Sequence, residues 1–382
     1  MINRQLEHTF KEFLTDPKAI ILFGPRQVGK TTLLRQWTAT LQEPVLWWNG
    51  DEPDTRQELK NATSSFLSAQ LSGYKWLIID EAQRIENIGL LLKLIYDNVP
   101  GVKIIATGSS SFDLANKISE PLTGRKWEFE MYPLSFAEMA AHHSLREEKR
   151  LLKHRLVYGF YPDVINNPGK EAMVLKELAD SYLYKDILAW ENIQKPAKLE
   201  KLIQALAFQV GSVVSINELS QTAGLDNHTV ERYISILEKS FVIFQVQPFS
   251  RNLRNEIKKS RKIYFCDNGI RNAVISQFGT FDLRQDKGAL WENFLMSERR
   301  KQLSYSKSHA QVYFWRNHAN QEIDYVEEKD GAIAAFECKW SENAKGKIPG
   351  AFIEEYAPAI TGIVNEKQFS DFVLHADFKI KA

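Results

Sequence analysis

The chain has 382 residues, 44% hydrophobic and 25% charged, with a net charge of +1. That length exceeds one ordinary hydrophobic core and implies two or three domains, and the composition excludes disorder. Near-neutral charge excludes a global attraction to nucleic acid, so such a role needs a local basic patch; two cysteines, Cys266 and Cys338, exclude a disulfide framework and fit a reducing cytoplasm.

Met1 to Phe10 lacks the apolar core of a signal peptide, and no run of about 18 apolar residues predicts a membrane span. Short apolar runs at Ala19 to Phe23, Pro44 to Trp48, Trp76 to Asp80 and Lys103 to Thr107 predict buried parallel strands separated by helices. In such a sheet, ligands bind beyond the carboxyl ends of the strands.

Between the first strand and the next helix, Gly24-Pro25-Arg26-Gln27-Val28-Gly29-Lys30-Thr31 fits the phosphate-binding pattern G-x-x-x-x-G-K-[ST], with Thr32 opening the helix. The glycines let backbone N–H groups wrap a β-phosphate, Lys30 reaches the β/γ oxygens, and the Thr31 hydroxyl ligates Mg²⁺. At the end of Trp76 to Asp80, Asp80 is expected to hold Mg²⁺ and Glu81 to orient the attacking water; the competing reading makes both simple helix caps. Asn116-Lys117-Ile118-Ser119 lacks the aspartate of a guanine-reading motif, so ATP is favoured over GTP. Thr107-Gly108-Ser109-Ser110-Ser111 suits a polar sensor of the γ-phosphate, or a plain serine-rich turn. Arg125, in Gly124-Arg125-Lys126, is a candidate arginine finger for a neighbouring subunit, or a surface arginine paired locally.

From about Glu138 to Ile193 the pattern is helical, with charged faces at Leu145 to Arg155 and Glu171 to Asp180, punctuated at Gly159, Pro162, Asn167, Pro168 and Gly169. This predicts a helical lid or connector. Ser215-Ile216-Asn217-Glu218 then opens a helix ending at Gly224, and Asp226 caps a second, with Val230, Tyr233, Ile234 and Leu237 at i, i+3, i+4 and i+7. This helix-turn-helix leaves Asn227, His228, Glu231 and Arg232 outward. A strand over Phe241 to Gln247 and the basic run Arg251, Arg254, Lys258, Lys259, Arg261, Lys262 complete a winged-helix pattern, suited to DNA phosphates or to a protein partner.

Farther on, Glu322 to Val326 and Ala334 to Lys339 read as strands. Alternation places Glu337 and Lys339 on one face, and a neighbouring strand would bring Asp324 beside them. With Glu292 on a preceding helix, these residues are candidates for a Mg²⁺ nuclease centre, Asp324 and Glu337 binding metal and Lys339 stabilising charge. The alternative is a degenerate nuclease-like fold used for binding or assembly.

Taken together, Gly24 to Thr31, Asp80-Glu81-Ala82-Gln83, Thr107-Gly108-Ser109-Ser110 and Leu122-Thr123-Gly124-Arg125 resemble the prokaryotic AAA-type ATPases that carry a C-terminal domain of unknown function, DUF4143. Further matching segments are Tyr158-Gly159-Phe160-Tyr161-Pro162, Tyr184-Lys185-Asp186-Ile187 and Lys262-Ile263-Tyr264-Phe265-Cys266-Asp267-Asn268-Gly269; Phe160 stands where many relatives have a second glycine. The resemblance implies an α/β fold: a P-loop (RecA/AAA-like) parallel sheet over 1–137, a helical lid over 138–197, a winged helix over 198–284, and a restriction-endonuclease-like domain of PD-(D/E)xK type over 285–382. It also implies a homo-oligomer, a ring being one form, with ATP sites between subunits. The leading expectation is an ATPase acting on DNA; the rivals are an ATP-dependent switch for protein partners and an ATP-gated nuclease.

Overall fold

The computed structural model describes residues 2–109, 114, 118, 120–181, 196–250, 260–343 and 346–378. Several expected features lie outside these residues: Ser110, Ser111, Asn116, Lys117, Ser119, the Tyr184-Lys185-Asp186-Ile187 segment, and the basic residues Arg251, Arg254, Lys258 and Lys259. The chain forms two compact units, the first essentially Asn3–Pro133 with Lys239–Phe241, the second Leu134–Glu238 with the residues from Val242 onward.

In the first unit, β1 (Ala19–Phe23), β3 (Trp76–Asp80) and β4 (Lys103–Gly108) are buried along their whole length, as continuous apolar runs require when both sheet faces are covered. With β2 (Val45–Asn49) and β5 (Lys126–Glu130) at the partly exposed edges, the sheet runs β2-β3-β4-β1-β5, every pair parallel. The helix Lys30–Thr38 follows β1, and the helix Ile88–Asn98 joins β3 to β4, burying Ile88, Leu91, Leu92 and Ile95 at helical spacing. The carboxyl ends of β1, β4 and β3 are therefore neighbours, and the phosphate loop, Thr107 and Asp80 meet there.

The second unit begins with helices Phe136–His142, Leu145–Tyr158, Pro162–Asn166 and Glu171–Leu178. The first is opened by a reciprocal capping box between Ser135 and Glu138, the second by Ser144 accepting from Glu147 N. Pro196–Phe208 precedes the expected two helices: Ile216–Ala223, which ends at Gly224 in the left-handed conformation (φ 64°), and Asn227–Lys239. Asp226 caps the latter by accepting from Thr229 N at 2.9 Å, and Val230, Tyr233, Ile234 and Leu237 form its buried face.

A single seven-stranded sheet follows, in the order β12-β11-β10-β9-β7-β8-β6. Its strands are β6 (Val213–Val214), β7 (Ile243–Pro248), β8 (Arg261–Phe265), β9 (Gln311–Arg316), β10 (Glu322–Lys329), β11 (Ala332–Cys338) and β12 (Ile360–Val364). Residues 198–284 and 285–382, expected as separate domains, both contribute strands to it. β7 pairs in parallel with β9, and Phe249 packs in one core with Trp315, Ile323, Val326, Phe352 and Tyr356, so the two segments share both ladder and core.

Candidate active site

The phosphate loop is shaped by its backbone. A Cβ on Gly24 would lie 2.2 Å from the Met131 carbonyl oxygen, and Gly29 has φ +97°, which favours glycine. Arg4 fastens the loop from outside it, its guanidinium donating to Val28 O and Tyr132 O, both at 2.6 Å. Lys30 opens its helix, is 5% exposed, and donates to Gly24 O at 2.7 Å and Pro25 O at 2.8 Å. Burial pulls its pKa down to about 8 against the opposing pull of Glu81 and Asp80.

Across the carboxyl ends of the strands, Thr31 Oγ1 donates to Asp80 Oδ2 at 2.8 Å, while Thr107 Oγ1 donates to Asp80 Oδ1 at 2.5 Å and accepts from Glu81 N at 3.0 Å. Glu81 sits in the left-handed region (φ 49°), which turns the chain sharply after β3. Its carboxylate accepts from Gln83 Nε2 at 2.6 Å, and the same amide nitrogen donates to Ser109 Oγ at 3.0 Å. Ser109 is thus a support for Gln83 in this structure. A half-buried hydroxyl and a buried carboxylate 2.8 Å apart, beside a glycine-cradled lysine, suit Mg²⁺ and a nucleoside triphosphate: the donors are hard oxygens and the loop has room only for backbone.

Sequence reasoning gave no role to Gln83 or Arg4. Arg4 reaches partners 24 and 128 residues away, so no local pattern marks it. Gln83 lies two residues past Glu81, and its spacing was visible while its partner Ser109 was not.

Arg125 packs on its own chain: Nε is 3.1 Å from Asp97 Oδ1 and the guanidinium lies 5.9 Å from the Tyr96 ring centroid, leaving the side chain 37% exposed.

In the second unit, His228 and Arg232 are exposed on the helix Asn227–Lys239, as expected. Arg261 is engaged by Gln245 Oε1 at 2.9 Å and Glu231 Oε1 at 3.2 Å. Lys262 corrects the expectation of a DNA contact. It is 1% exposed on β8, the strand next to the sheet's β6 edge, with Nζ turned inward to Glu322 (2.6 Å), Glu292 (3.1 Å) and Asp324 (3.5 Å).

The candidate nuclease residues do converge. Lys339 Nζ lies 2.7 Å from Glu337 Oε2 and 3.5 Å from Asp324 Oδ2, and Cys338 N donates to that same Asp324 oxygen at 2.9 Å. A register shift between Ile323 and Val326 where β10 meets β9 breaks the regular ladder at Asp324. Glu292 comes from the helix Lys287–Tyr305 and also accepts from Tyr264 OH at 2.6 Å. Burial holds its pKa up to about 7 against the pull of Lys262.

The chain matches three domain families: an AAA domain over residues 16–140, a domain of unknown function (DUF8612) over 149–280, and a domain of unknown function (DUF4143) over 287–374. An uncharacterized protein of Mycobacterium tuberculosis is 27% identical over 326 residues, covering 84% of this chain and 70% of that protein. One of Methanocaldococcus jannaschii is 26% identical over 328 residues, covering 73% of this chain and 65% of its own. Among solved structures, a Walker-type ATPase of Pyrococcus abyssi superposes with TM-score 0.50 at 16% identity, covering 72% of this chain and 96% of that one. The chain thus carries an α/β P-loop ATPase fold with a parallel sheet, which supports ATP binding and hydrolysis. No helix among the described residues is long and apolar enough to cross a membrane.

Proposed function

We propose that this chain is a Mg²⁺-dependent ATP hydrolase whose nucleotide cycle is read out on DNA by its second unit. The observation that carries the hydrolase reading is the linked set at the strand ends: Thr31 on Asp80 at 2.8 Å, and the Glu81 carboxylate fixed by Gln83 at 2.6 Å. Loop amides and the start of the helix Lys30–Thr38 bind the phosphates, and Lys30 exchanges its two carbonyl partners for phosphate oxygens. Thr31 and Asp80 would hold Mg²⁺, which would neutralise charge on the phosphates when bound. Glu81 accepts a hydrogen bond from the attacking water, aligned by Gln83. Arg125 serves a neighbouring copy's site once released from Asp97, which makes the active form an oligomer.

The DNA reading is supported by the exposed His228 and Arg232 on the second helix of the helix-turn-helix. The burial of Lys262 and the pairing of Arg261 with Glu231 favour the second reading, a switch recruiting a protein partner through that surface. ATP turnover is to be measured on the full chain with and without linear, forked and four-way DNA. Lys30→Ala abolishes turnover, and Glu81→Gln lowers it by about 10²- to 10⁴-fold while retaining ATP binding. DNA stimulation that weakens with salt and is lost in His228→Ala/Arg232→Ala supports the DNA reading; turnover unchanged by every DNA transfers the output to the protein-partner reading.

A further inference from the structure

The carboxylates of the second unit have the composition of a metal-dependent nuclease centre, but at least one oxygen of each is already engaged. Lys262 Nζ lies 2.6 Å from Glu322 Oε1, 3.1 Å from Glu292 Oε1 and 3.5 Å from Asp324 Oδ1. The other Asp324 oxygen takes Cys338 N and Lys339, Glu292 Oε1 also takes Tyr264 OH, and Glu337 Oε2 takes Lys339. A divalent cation binds such oxygens at about 2.0–2.6 Å, so one shared by Glu292 and Asp324 would sit within contact distance of the ammonium, with two positive charges abutting in a buried site. With Lys262 in place, the residues present do not fit a metal shared by Glu292 and Asp324, and one shared by Asp324 and Glu337 would have to displace Lys339.

We propose that Lys262 is the resident cation of this centre: its ammonium takes the place of the divalent metal, and the carboxylates serve to join β8 to the helix Lys287–Tyr305 and to β10. Three independent features agree. Lys262 is 1% exposed, on a strand paired on both sides, opposite Val213 of β6 and Val246 of β7. Buried lysines are tolerated only when paired, and this one meets three carboxylates. Gly211, with φ at +76° and the position of an added Cβ 3.2 Å from the Glu292 carboxylate, lets the backbone pack closely over that end of the cluster. The cation is supplied by residues 198–284 and its carboxylates by 285–382, the two segments that one ladder already unites.

Mn²⁺ binding to the full-length, nucleotide-free chain tests this, read by the loss of free-ion paramagnetic resonance signal. Wild type and Glu337→Gln are expected to give the same isotherm, because no ion resides at the centre. Lys262→Met, which keeps length and removes charge, is expected to gain a site binding Mn²⁺ about tenfold or more tighter than wild type. That gain should vanish in Lys262→Met/Asp324→Asn. A wild-type isotherm that weakens in Glu337→Gln overturns the proposal, as does a folded Lys262→Met chain with no added Mn²⁺ site. Should Lys262→Met not fold, the wild-type against Glu337→Gln comparison decides alone.

Discussion

At the scale of single residues, the nucleotide site divides into what a local motif announces and what only the fold assembles. Gly24 to Thr31 was readable because its glycines, lysine and hydroxyl act through adjacent backbone, and Asp80 and Glu81 because they end a buried apolar run. Gln83 was not, because its work depends on Ser109, which is 26 residues onward and reaches it only through the pairing of β3 with β4. In the proposed hydrolysis Gln83 is a positioning residue, since its amide holds Glu81 Oε2 at 2.6 Å. Gln83→Ala should therefore lower kcat by about tenfold with KM for ATP unchanged, since a misaligned base costs rate and leaves ground-state binding intact. Steady-state ATPase assays with a nucleotide titration check it; a rise in KM at constant kcat would instead place Gln83 in binding. Lys262 is the residue most misread from sequence. A lysine in a basic run reads as solvated, and only the fold, which buries it against Glu322, Glu292 and Asp324, shows that it points inward.

At the scale of elements, the segments Tyr158 to Pro162 and Lys262 to Gly269 turn out to be one interlock. Gly159 ends the helix Leu145–Tyr158 at φ 70°, and an added Cβ there would meet Asp267 Oδ1 at 2.0 Å. Asp267 caps the helix Asn268–Val274 by accepting from Gly269 N at 2.8 Å and Ile270 N at 3.3 Å, and it also accepts from Phe160 N at 2.7 Å. Gly269 in turn leaves space for the Tyr158 carbonyl oxygen, 2.3 Å from where its Cβ would be. These contacts give the residues a role in folding, with no need of a catalytic one. Phe160, in place of a second glycine, stacks on Phe294 at 6.1 Å and lies under Lys301 Nζ at 5.0 Å, so the turn gains packing. Asp267→Ala would leave three buried N–H groups unpaired and should cost about 3 kcal/mol or more. Urea unfolding followed by circular dichroism is the measurement, and a loss under about 1 kcal/mol would mean that water replaces the carboxylate. The helix-turn-helix was legible because capping residues and 3.6-residue periodicity are local signals.

At the scale of the whole chain, sequence reading found strands of the first sheet by their apolar runs and part of the second, while β6, β8 and β12 were not foreseen. That 198–284 and 285–382 share one sheet was not legible either, because strand partners cannot be read from periodicity. β7 and β9 are separated by the helix Lys287–Tyr305 in sequence and joined in parallel in space, as a crossover connection allows. A consequence follows for fragments. A piece spanning 285–382 would expose the unpaired edge of β9, lose Phe249 from the core around Trp315 and Phe352, and strip Lys262 from three carboxylates. It should fail to give a cooperative thermal transition and should bind a hydrophobic dye, whereas a piece spanning 134–382, which keeps all seven strands, should melt cooperatively. Near-UV circular dichroism and dye fluorescence on the two pieces distinguish these outcomes. A cooperative transition from 285–382 alone would show that β10, β11 and β12 with their helices suffice, and that the shared ladder and the Lys262 cluster contribute little to its stability.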